Sequence, residues 1–125
     1  MVSAEVGWGR RHRWLTDYTF AVRRSRSDPT LLNVGKAYSG LTDAEFIELT
    51  AFFRAHTRAV LAHGKICLVE PCRVMEITFD RVQRSPRHKS GYALRFPRIL
   101  RQRPDKTVAD IDTLEQVAAL AAEFA

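Results

Sequence analysis

The stretch DYTFAVR, residues 17–23, decides the fold class of this chain. Apolar side chains recur in it at every second position, and this period of two predicts a half-buried β-strand. The side chains that share the apolar face are Tyr18, Phe20 and Val22. The polar segment RSRSDP follows at 24–29 and predicts a turn, after which residues 30–38 form a second strand. The two strands are therefore expected to form a hairpin.

A helix is predicted directly after this hairpin, over about residues 42–62. Thr42 is a good N-cap, and Glu45 three residues later completes a capping box. The apolar stripe of the helix consists of Phe46, Leu49, Phe53 and Val60. We expect Gly64 to end the helix, because glycine commonly follows the last helical turn.

Three further strands are predicted in the second half of the chain. KICLVEP at 65–71 is short and apolar, whereas RVMEITFD at 73–80 and YALRF at 92–96 alternate between apolar and polar side chains. Pro97 has no backbone N–H for a strand ladder, so the last of these strands should end there or lie at a sheet edge.

A C-terminal helix is predicted over 112–124, where Asp112 and Glu115 form a second capping box. About five strands with a helix between them and another at the end are typical of a mostly-β OB-fold, a five-stranded Greek-key barrel. We interpret residues 1–125 as a single OB-fold domain and allow for disorder in residues 1–8.

The composition is that of a globular domain with a basic surface. Hydrophobic residues make up 46% and charged residues 27%, which excludes a disordered or collagen-like chain. Twenty Lys and Arg against 14 Asp and Glu give a net charge of +6, which favours a polyanionic partner such as nucleic acid. No stretch is apolar enough to span a membrane or to act as a secretory signal, so we expect a cytoplasmic location without a membrane partner.

A metal or thiol site is one alternative, because the chain has two cysteines and four histidines. The residue types that suit such a site are found at His63, Cys67, Cys72 and His88. The spacing of the cysteines matches no zinc finger, and neither lies in a recognisable nucleophile motif. Cys67 lies in an apolar strand and is better explained as a core residue. We therefore predict no metal site and no catalytic residue in this chain.

The loop RSPRHKSG at 84–91 is the first candidate for binding phosphate. Several cationic side chains so close together repel one another unless an anion is present. Short loops of this kind bind phosphate through backbone N–H groups and cations together. The candidate DNA-binding residues here are Arg84, Ser85, Arg87, His88, Lys89 and Ser90.

A second basic element runs from residue 95 to 106 and carries one carboxylate. Its charged residues are Arg95, Arg98, Arg101, Arg103, Asp105 and Lys106. Arg95 alternates with its apolar neighbours and so points away from the core. Past Pro97 the spacing no longer fits a strand, so we interpret this row as an exposed basic edge. Asp105 is expected to orient one of the guanidinium groups rather than to bind a ligand.

Two other segments carry side chains that suit DNA. RRSRSDP at 23–29 is more basic than a plain hairpin tip, which suggests an added phosphate contact through Arg23, Arg24 and Arg26. Trp8 and Trp14 lie among N-terminal arginines, and they could stack on bases or pack against the barrel. A free-standing OB protein that binds single-stranded DNA is therefore the alternative function.

The segment LRFPRILRQRPDK at 94–106 resembles motif VI of ATP-dependent DNA ligases, whose usual form is RFPR, a short spacer and R-x-D-K. Three further stretches are similar to the C-terminal domain of that family. They are VGKAYSGLTDAE at 34–45, FDRVQRS at 79–85 and RHKSGYALRFPR at 87–98. Residues 9–22 resemble the segment that opens this domain, and residues 112–120 resemble its closing helix, so the resemblance covers nearly the whole chain.

This resemblance implies an OB-fold that works in two positions. Such a domain closes over ATP, where motif VI cations engage the β and γ phosphates as pyrophosphate leaves, and then clamps nicked duplex DNA. Carried onto this sequence, the motif VI residues are Arg95, Arg98, Arg101, Arg103, Asp105 and Lys106. The loop from Arg84 to Ser90 would lie near phosphate or DNA.

The chain departs from the family pattern in its catalytic parts. The attacking lysine of the family lies in a K-x-D-G motif, and no lysine here has that context, so this chain alone is not expected to have ligase activity. ATP and Mg²⁺ are implied for the complete ligase and not for this chain by itself. The implied partners are nicked duplex DNA and an adenylation domain, in cis or in trans. The resemblance further implies work in DNA replication and repair, associated with the nucleoid.

Overall fold

The computed structural model describes residues 1–123, and within that range the chain forms nine strands and two α-helices. The strands are β1 (Ser3–Val6), β2 (Leu15–Arg23), β3 (Leu31–Ala37), β4 (Thr57–Leu61), β5 (Ile66–Val69), β6 (Met75–Thr78), β7 (Arg81–Arg84), β8 (Tyr92–Arg95) and β9 (Arg98–Gln102). The helices are α1 (Asp43–Ala55) and α2 (Leu114–Glu123), and single turns of 3-10 helix lie at Gly9–Arg11 and Val108–Asp110. Neither α-helix of the described chain is long and apolar enough to cross a membrane.

A five-stranded antiparallel sheet in the order β3-β2-β1-β5-β4 forms the centre of the fold. Two antiparallel ribbons, β6 with β9 and β7 with β8, lie beside it. The loop at the tip of the β7–β8 ribbon reaches β3, where Ser90 Oγ donates to the carbonyl of Asn33 at 2.8 Å. Both ribbons also supply the common core, through Val82 of β7 and Ile99 of β9.

The predicted alternation of β2 is confirmed. The residues expected to point inwards are all buried, namely Tyr18, Phe20 and Val22. The ring of Tyr18 packs against Phe46 and Phe53 of α1, with ring centroids 6.1 and 5.6 Å away. Its hydroxyl donates to the carbonyl of Leu15 at 2.6 Å, so this buried polar atom keeps a hydrogen bond. The hairpin strand is thereby fixed against the interposed helix.

Helix α1 begins where the capping box predicts. The Thr42 hydroxyl accepts from the backbone N–H of Glu45 at 3.2 Å, and the Glu45 carboxylate accepts from the N–H of Thr42 at 3.1 Å. One turn further on, Thr50 is buried and joins the helix to β2. Its Oγ1 accepts from the N–H of Leu15 at 2.9 Å and donates to the carbonyl of Phe46 at 2.7 Å.

The prediction that this helix runs to about residue 62 is wrong. Helix α1 ends at Ala55, and the next residues form β4, which pairs with β5. Thr57 helps to end the helix, because its hydroxyl donates to the Phe53 carbonyl at 2.7 Å in the last turn. Sheet pairing gives the backbone of β4 the hydrogen bonds that a longer helix would have supplied.

Two residues assigned to the longer helix therefore have other positions. Val60 was expected in the apolar stripe, but it is exposed on β4, an edge strand of the sheet. Gly64 was expected to end the helix, and it lies instead in the turn between β4 and β5, at φ 88°. The two preceding residues of this turn also have positive φ. Gly64 thus closes a hairpin and not a helix.

Residues 1–8, for which we allowed disorder, contain β1. This strand lies in the middle of the sheet between β2 and β5, and its Ala4 is fully buried. Four residues are too few for a clear periodic pattern. The segment forms a strand because β2 pairs with one of its edges and β5 with the other.

The interpretation of residues beyond Pro97 as an edge without strand structure is also wrong. Residues Arg98–Gln102 form β9, which pairs with β6. Only Ile99 of this strand is buried, so its sequence shows no apolar alternation. Strand β7 was likewise not predicted, because a four-residue strand with one buried side chain gives almost no sequence signal.

The C-terminal helix is present, but its first turn differs from the prediction. Helix α2 begins at Leu114, and Thr113 with Gln116 forms the reciprocal contacts expected of Asp112 with Glu115. The Gln116 side chain accepts from the N–H of Thr113 at 2.7 Å. Residue 124, the predicted end of this helix, lies outside the described residues.

Candidate nucleic-acid interface

The motif VI residues follow one another along β8, β9 and the loop behind it. Arg95 ends β8, Arg98 and Arg101 lie on β9, and Asp105 and Lys106 follow on the loop behind it. Strand β9 begins at a sharp corner, where Phe96 has φ 53°, a region that side chains other than glycine seldom adopt. This corner turns the chain from β8, which pairs with β7, into β9, which pairs with β6.

Glu76 of β6 is the carboxylate that organises the far end of this row. Its Oε1 accepts from Nε of Arg101 and from Nη1 of Arg103, both at 3.0 Å. Arg103 also donates to both carboxylate oxygens of Asp105, at 3.0 and 2.9 Å. The expected orienting role of Asp105 agrees with this geometry, since it holds one guanidinium group in a fixed plane.

These contacts shift the pKa values of the acids in one direction. The hydrogen bonds from Arg103 lower the pKa of Asp105 to about 2, and those from Arg101 and then Arg103 lower the pKa of Glu76. The same hydrogen bonds raise the pKa of Arg103, those of Asp105 having the larger effect. All three groups therefore stay charged at neutral pH, so Arg103 is largely neutralised by its partners.

The arginines at the near end have looser partners. Arg98 is 3.3 Å from the carboxylate of Asp80 and donates to the Phe96 carbonyl at 2.7 Å. Arg95 donates to the amide oxygen of Gln83 at 3.2 Å, and its guanidinium lies 5.1 Å from the centre of the Phe96 ring. Both the Arg98 and Asp80 side chains are exposed, and exposed ion pairs contribute little, so an incoming anion can replace this contact.

Lys106 closes the row and is exposed. Its backbone N–H donates to the carbonyl of Arg103 at 3.1 Å, which fixes the start of the side chain. Among residues 1–123, its ammonium group has no ion pair. Lys106 and Arg95 are therefore the cations of the row without a carboxylate partner in the described residues, and Arg98 has only an exposed one.

The loop at 84–91 is a compact turn with cations on its outside. The hydroxyl of Ser85 lies 2.7 Å from Nδ1 of His88, and the backbone of Ser85 pairs with that of Gly91. Ser90 is buried, and its hydroxyl lies within hydrogen-bond distance of the carbonyls of Asn33 and Tyr92 and accepts from the N–H of Tyr92, so it holds the loop together. The cationic side chains left exposed by the loop are Arg84, Arg87 and Lys89.

Two of the three arginines of the β2–β3 hairpin are bound to the protein itself. Arg26 donates to the carbonyls of Ala109 and Ile111, and the backbone N–H of Arg23 donates to the carbonyl of Asp112. The side chain of Arg23 also donates to carbonyls of its own turn. Arg24 has only an exposed ion pair with Asp28 at 3.7 Å. Of these three DNA-binding candidates, only Arg24 keeps its guanidinium largely available.

The structure thus places the loop at 84–91 and the start of motif VI at the two ends of the β7–β8 ribbon. The loop lies next to the Arg84–Tyr92 pair, and motif VI begins at the opposite end, next to the Arg81–Arg95 pair. Three residue steps separate the two ends, which corresponds to about 10 Å. The two groups therefore lie close enough to contact one nucleic-acid duplex.

The acidic partners of the row were not identified as site residues from the sequence. Glu76 and Asp80 occupy the polar positions of the stretch 73–80, and this alternation places them away from the core. The alternation of apolar and polar residues indicates that these carboxylates are exposed. It does not indicate which arginines lie opposite them. Only the pairing of β6 with β9 brings these carboxylates to the arginines.

The alternative metal or thiol site is not assembled. Cys67 is buried in β5 and Cys72 is exposed, and both are free thiols. His63 lies in the β4–β5 turn, whereas His88 lies in the loop of the β7–β8 ribbon. Within the described part of the chain, no three His, Cys, Asp or Glu side chains come close enough to hold a metal ion.

Comparison with known proteins gives a consistent picture. The family described as ATP dependent DNA ligase C terminal region matches residues 11–106. A probable DNA ligase from Opitutus terrae is 54% identical over 122 residues, which is 98% of this chain and 12% of that protein. A probable DNA ligase from Koribacter versatilis is 53% identical over 116 residues, which is 93% of this chain and 19% of that protein. The chain thus spans less than a fifth of the length of either relative.

A solved structure agrees on the fold. The crystal structure of the ligase domain from M. tuberculosis LigD has a TM-score of 0.67 and 18% sequence identity, covering 89% of this chain and 36% of that one. At this identity the likeness shows the fold alone, and the predicted mostly-β OB-fold is confirmed. Because the family match spans most of the chain and includes the whole of motif VI, the chain belongs to the family of C-terminal regions of ATP-dependent DNA ligases.

Proposed function

We propose that this chain is the DNA-binding domain of an ATP-dependent DNA ligase, and that it clamps nicked duplex DNA and supplies motif VI cations to the phosphates of ATP. The observation that carries the proposal is the position of the cations. A family match over residues 11–106 coincides with two groups of basic side chains at the two ends of one ribbon. The ligase reaction itself would require an adenylation domain, in cis or in trans.

The loop at 84–91 is the better candidate for duplex DNA. Arg84, Arg87 and Lys89 are exposed, and none of them has an ion pair within residues 1–123. Three free cations around one rigid turn repel one another, and a phosphate backbone relieves that repulsion. Contacts of this kind read no sequence, which suits a protein that must act at any nick.

The motif VI row suits the phosphates of ATP. Lys106 is free, and Arg98 has only an exposed partner, so both could bind phosphate oxygens and stabilise the negative charge there. Arg101 is held by Glu76 and would bind phosphate with its remaining donors. The guanidinium and ammonium groups fit the phosphates of ATP. Mg²⁺ is proposed only for the complete ligase and not for this chain by itself.

The DNA role is tested by fluorescence anisotropy with labelled nicked duplex, intact duplex and single strand of equal length, each at several salt concentrations. We expect the tightest binding to nicked duplex and a steep fall of affinity with salt, because several phosphates are neutralised. The double variant Arg87→Ala/Lys89→Ala should reduce the log–log salt slope by about two units.

A matched control removes the same charge elsewhere. Arg54 and Arg58 are exposed on α1 and β4 and are not assigned to the interface. The variant Arg54→Ala/Arg58→Ala should leave the salt slope nearly unchanged. Equal slopes for the two double variants would contradict the proposed interface. A preference for single strand over both duplexes would instead favour the alternative, a single-strand-binding OB protein.

The ATP role is tested in a chimera in which this chain replaces the matching region of the Koribacter versatilis relative. We expect Lys106→Ala to slow formation of the ligase-adenylate by about a hundredfold, because a cation that stabilises a developing charge is lost. Arg54→Ala is the control and should react at the rate of the unmodified chimera. Equal rates for the two variants would exclude Lys106 from this role.

A further inference from the structure

The loop between β1 and β2, residues 7–14, presents a tryptophan to solvent. Trp8 is 87% exposed, the largest exposure among the large apolar side chains of residues 1–123. The other tryptophan, Trp14, is half-buried and packs against the core. An indole ring left in water costs hydrophobic free energy that burial would recover, so the exposed Trp8 indicates a surface that a partner covers.

The loop that carries Trp8 is rigid. The N–H of Gly7 donates to the Trp14 carbonyl at 3.0 Å, and the N–H of Trp14 donates to the Arg11 carbonyl at 3.0 Å. Gly7 is required here, because a Cβ at this position would lie 2.5 Å from the hydroxyl of Thr16. These contacts fix the backbone around Trp8 before any ligand arrives, which lowers the entropic cost of binding.

Of the three arginines in the loop, one anchors it and two are available. Arg11 donates to Asp43 at 2.9 Å, and its guanidinium lies 5.0 Å from the centre of the Phe46 ring, so it fixes the loop to α1. The Arg10 side chain is 81% exposed, and its one ion pair, with the Asp43 carboxylate that Arg11 also binds, is long at 3.7 Å. Arg13 is exposed and has no ion pair in the described part of the chain.

The loop also borders other cations. The N–H of Val6, just before it, donates to the carbonyl of Lys65, whose side chain is exposed in the β4–β5 hairpin. On the other side, Asp43 binds Arg11 of the loop, while Glu45, in the same helical turn, binds Gln102 at the end of β9. The loop is therefore joined to the motif VI row through the first turn of α1.

We propose that the β1–β2 loop is a separate DNA contact, in which Trp8 stacks on an unpaired base while Arg10 and Arg13 bind the flanking phosphates. The ring needs a free π-face, and every base of an intact duplex already has stacked neighbours, so the ligand is a base at a single-stranded gap or frayed end. The inference rests on the proposed function only in taking DNA as the ligand.

The test compares affinities for a duplex with a short single-stranded gap and for an intact duplex of the same length. We expect Trp8→Ala to weaken binding to the gapped DNA by about tenfold and to leave binding to the intact duplex unchanged. Trp8→Phe should recover part of the loss, because it keeps an aromatic face. Trp8→Leu should not, because it is apolar without one.

A spectroscopic measurement reports the stacking directly. The indole N–H signal of Trp8 in the NMR spectrum is identified as the signal that Trp8→Phe lacks. Gapped DNA should shift this signal and quench the fluorescence of Trp8, whereas intact duplex should do neither. The indole signal of Trp14 provides an internal control for the fold, and it should keep its position throughout.

The outcomes separate this inference from the proposed function. DNA binding could depend on salt and require Arg87 and Lys89, while Trp8→Ala does not weaken it and the Trp8 indole signal does not shift. That result would overturn the stacking contact and leave the clamp intact. Equal effects of Trp8→Leu and Trp8→Phe would also overturn it, because a merely apolar contact predicts that result. Absence of binding to every DNA would overturn both proposals.

Discussion

Arg103 and Asp105 form a bidentate ion pair in which Nε and Nη2 of the arginine donate to the two carboxylate oxygens at 3.0 and 2.9 Å. The pair lies within motif VI and leaves Nη1 of the arginine to donate to Oε1 of Glu76 at 3.0 Å. Two carboxylates on one guanidinium mean that Arg103 contributes little free positive charge. The loop that carries Lys106 is also closed by a backbone hydrogen bond, in which the N–H of Lys106 donates to the Arg103 carbonyl.

The first prediction concerns acid stability. Hydrogen bonds from Arg103 lower the pKa of Asp105 from 3.8 to about 2. A lowered pKa means that the pair stabilises the fold above the unfolded-state pKa and loses this effect as pH falls towards the folded-state value. The stability that Asp105 contributes should therefore disappear between about pH 4 and pH 2.

Urea unfolding of the wild type and of Asp105→Asn over this pH range measures the effect. We expect the two free energies of unfolding to differ at pH 5 and to converge near pH 2. A carbon NMR titration of the Asp105 carboxyl group should give a pKa near 2, and Arg103→Gln should return it towards 3.8. A difference between the two proteins that does not depend on pH would contradict this explanation.

The second prediction concerns the close approach of Gly40 to β9. Gly40 has φ 107°, and a Cβ there would lie 1.9 Å from the carbonyl oxygen of Ile99. This approach allows the carbonyl of Ser39 to accept from the N–H of Ile99 at 2.9 Å. We expect Gly40→Ala to destabilise the fold by about 3 kcal/mol or more in urea unfolding. The alanine would have a strained φ, and the backbone at Ile99 would also have to move to make room for its Cβ.

Gly64 supplies the matched control for that variant. It also has positive φ, 88°, but a Cβ there would meet nothing within 4 Å. Gly64→Ala should therefore cost only the conformational strain, about 1 kcal/mol. Equal losses for the two variants would show that the contact with Ile99 is not decisive.

The third prediction concerns the buried hydroxyl of Thr50, which accepts from the N–H of Leu15 at 2.9 Å. Thr50→Val keeps the shape of the side chain but leaves that N–H buried without a partner. We expect a loss of about 1–3 kcal/mol in the free energy of unfolding. Thr57→Val is the control, since Thr57 only donates to a carbonyl of the last helical turn, and it should cost less.

The fourth prediction separates structural from DNA-binding arginines in the β2–β3 hairpin. Arg26 donates to the carbonyls of Ala109 and Ile111, whereas Arg24 has only an exposed ion pair with Asp28. Arg26→Ala should lower the free energy of unfolding by about 1 kcal/mol. It should also speed amide exchange at Arg23, whose N–H donates to Asp112.

Arg24→Ala should instead leave stability unchanged within about 0.5 kcal/mol, because exposed ion pairs contribute little. If Arg24 contacts DNA as predicted, its loss should reduce the salt slope of DNA binding by about one unit. The reverse pattern, a stability loss at Arg24 and none at Arg26, would contradict this assignment.

The sequence by itself determined the features that depend on neighbours along the chain. The period of two placed Tyr18 of β2 on the core side, and the capping box placed the start of α1 at Thr42, because both patterns act within a few residues. The motif at 94–106 likewise indicated the family without any structure. Charge alone indicated a polyanionic partner, since net charge does not depend on the fold.

Only the tertiary structure decided the features that depend on pairing between distant segments. Thr57–Leu61 is a strand and not a helix because β5 lies beside it, and Ser3–Val6 is ordered because strands pair with both of its edges. The same holds within the site. Glu76 neutralises Arg103, and Arg26 binds the C-terminal segment, through contacts across 27 to 85 residues of sequence. Hydrogen bonds and ion pairs depend on distance in space, which no local pattern specifies.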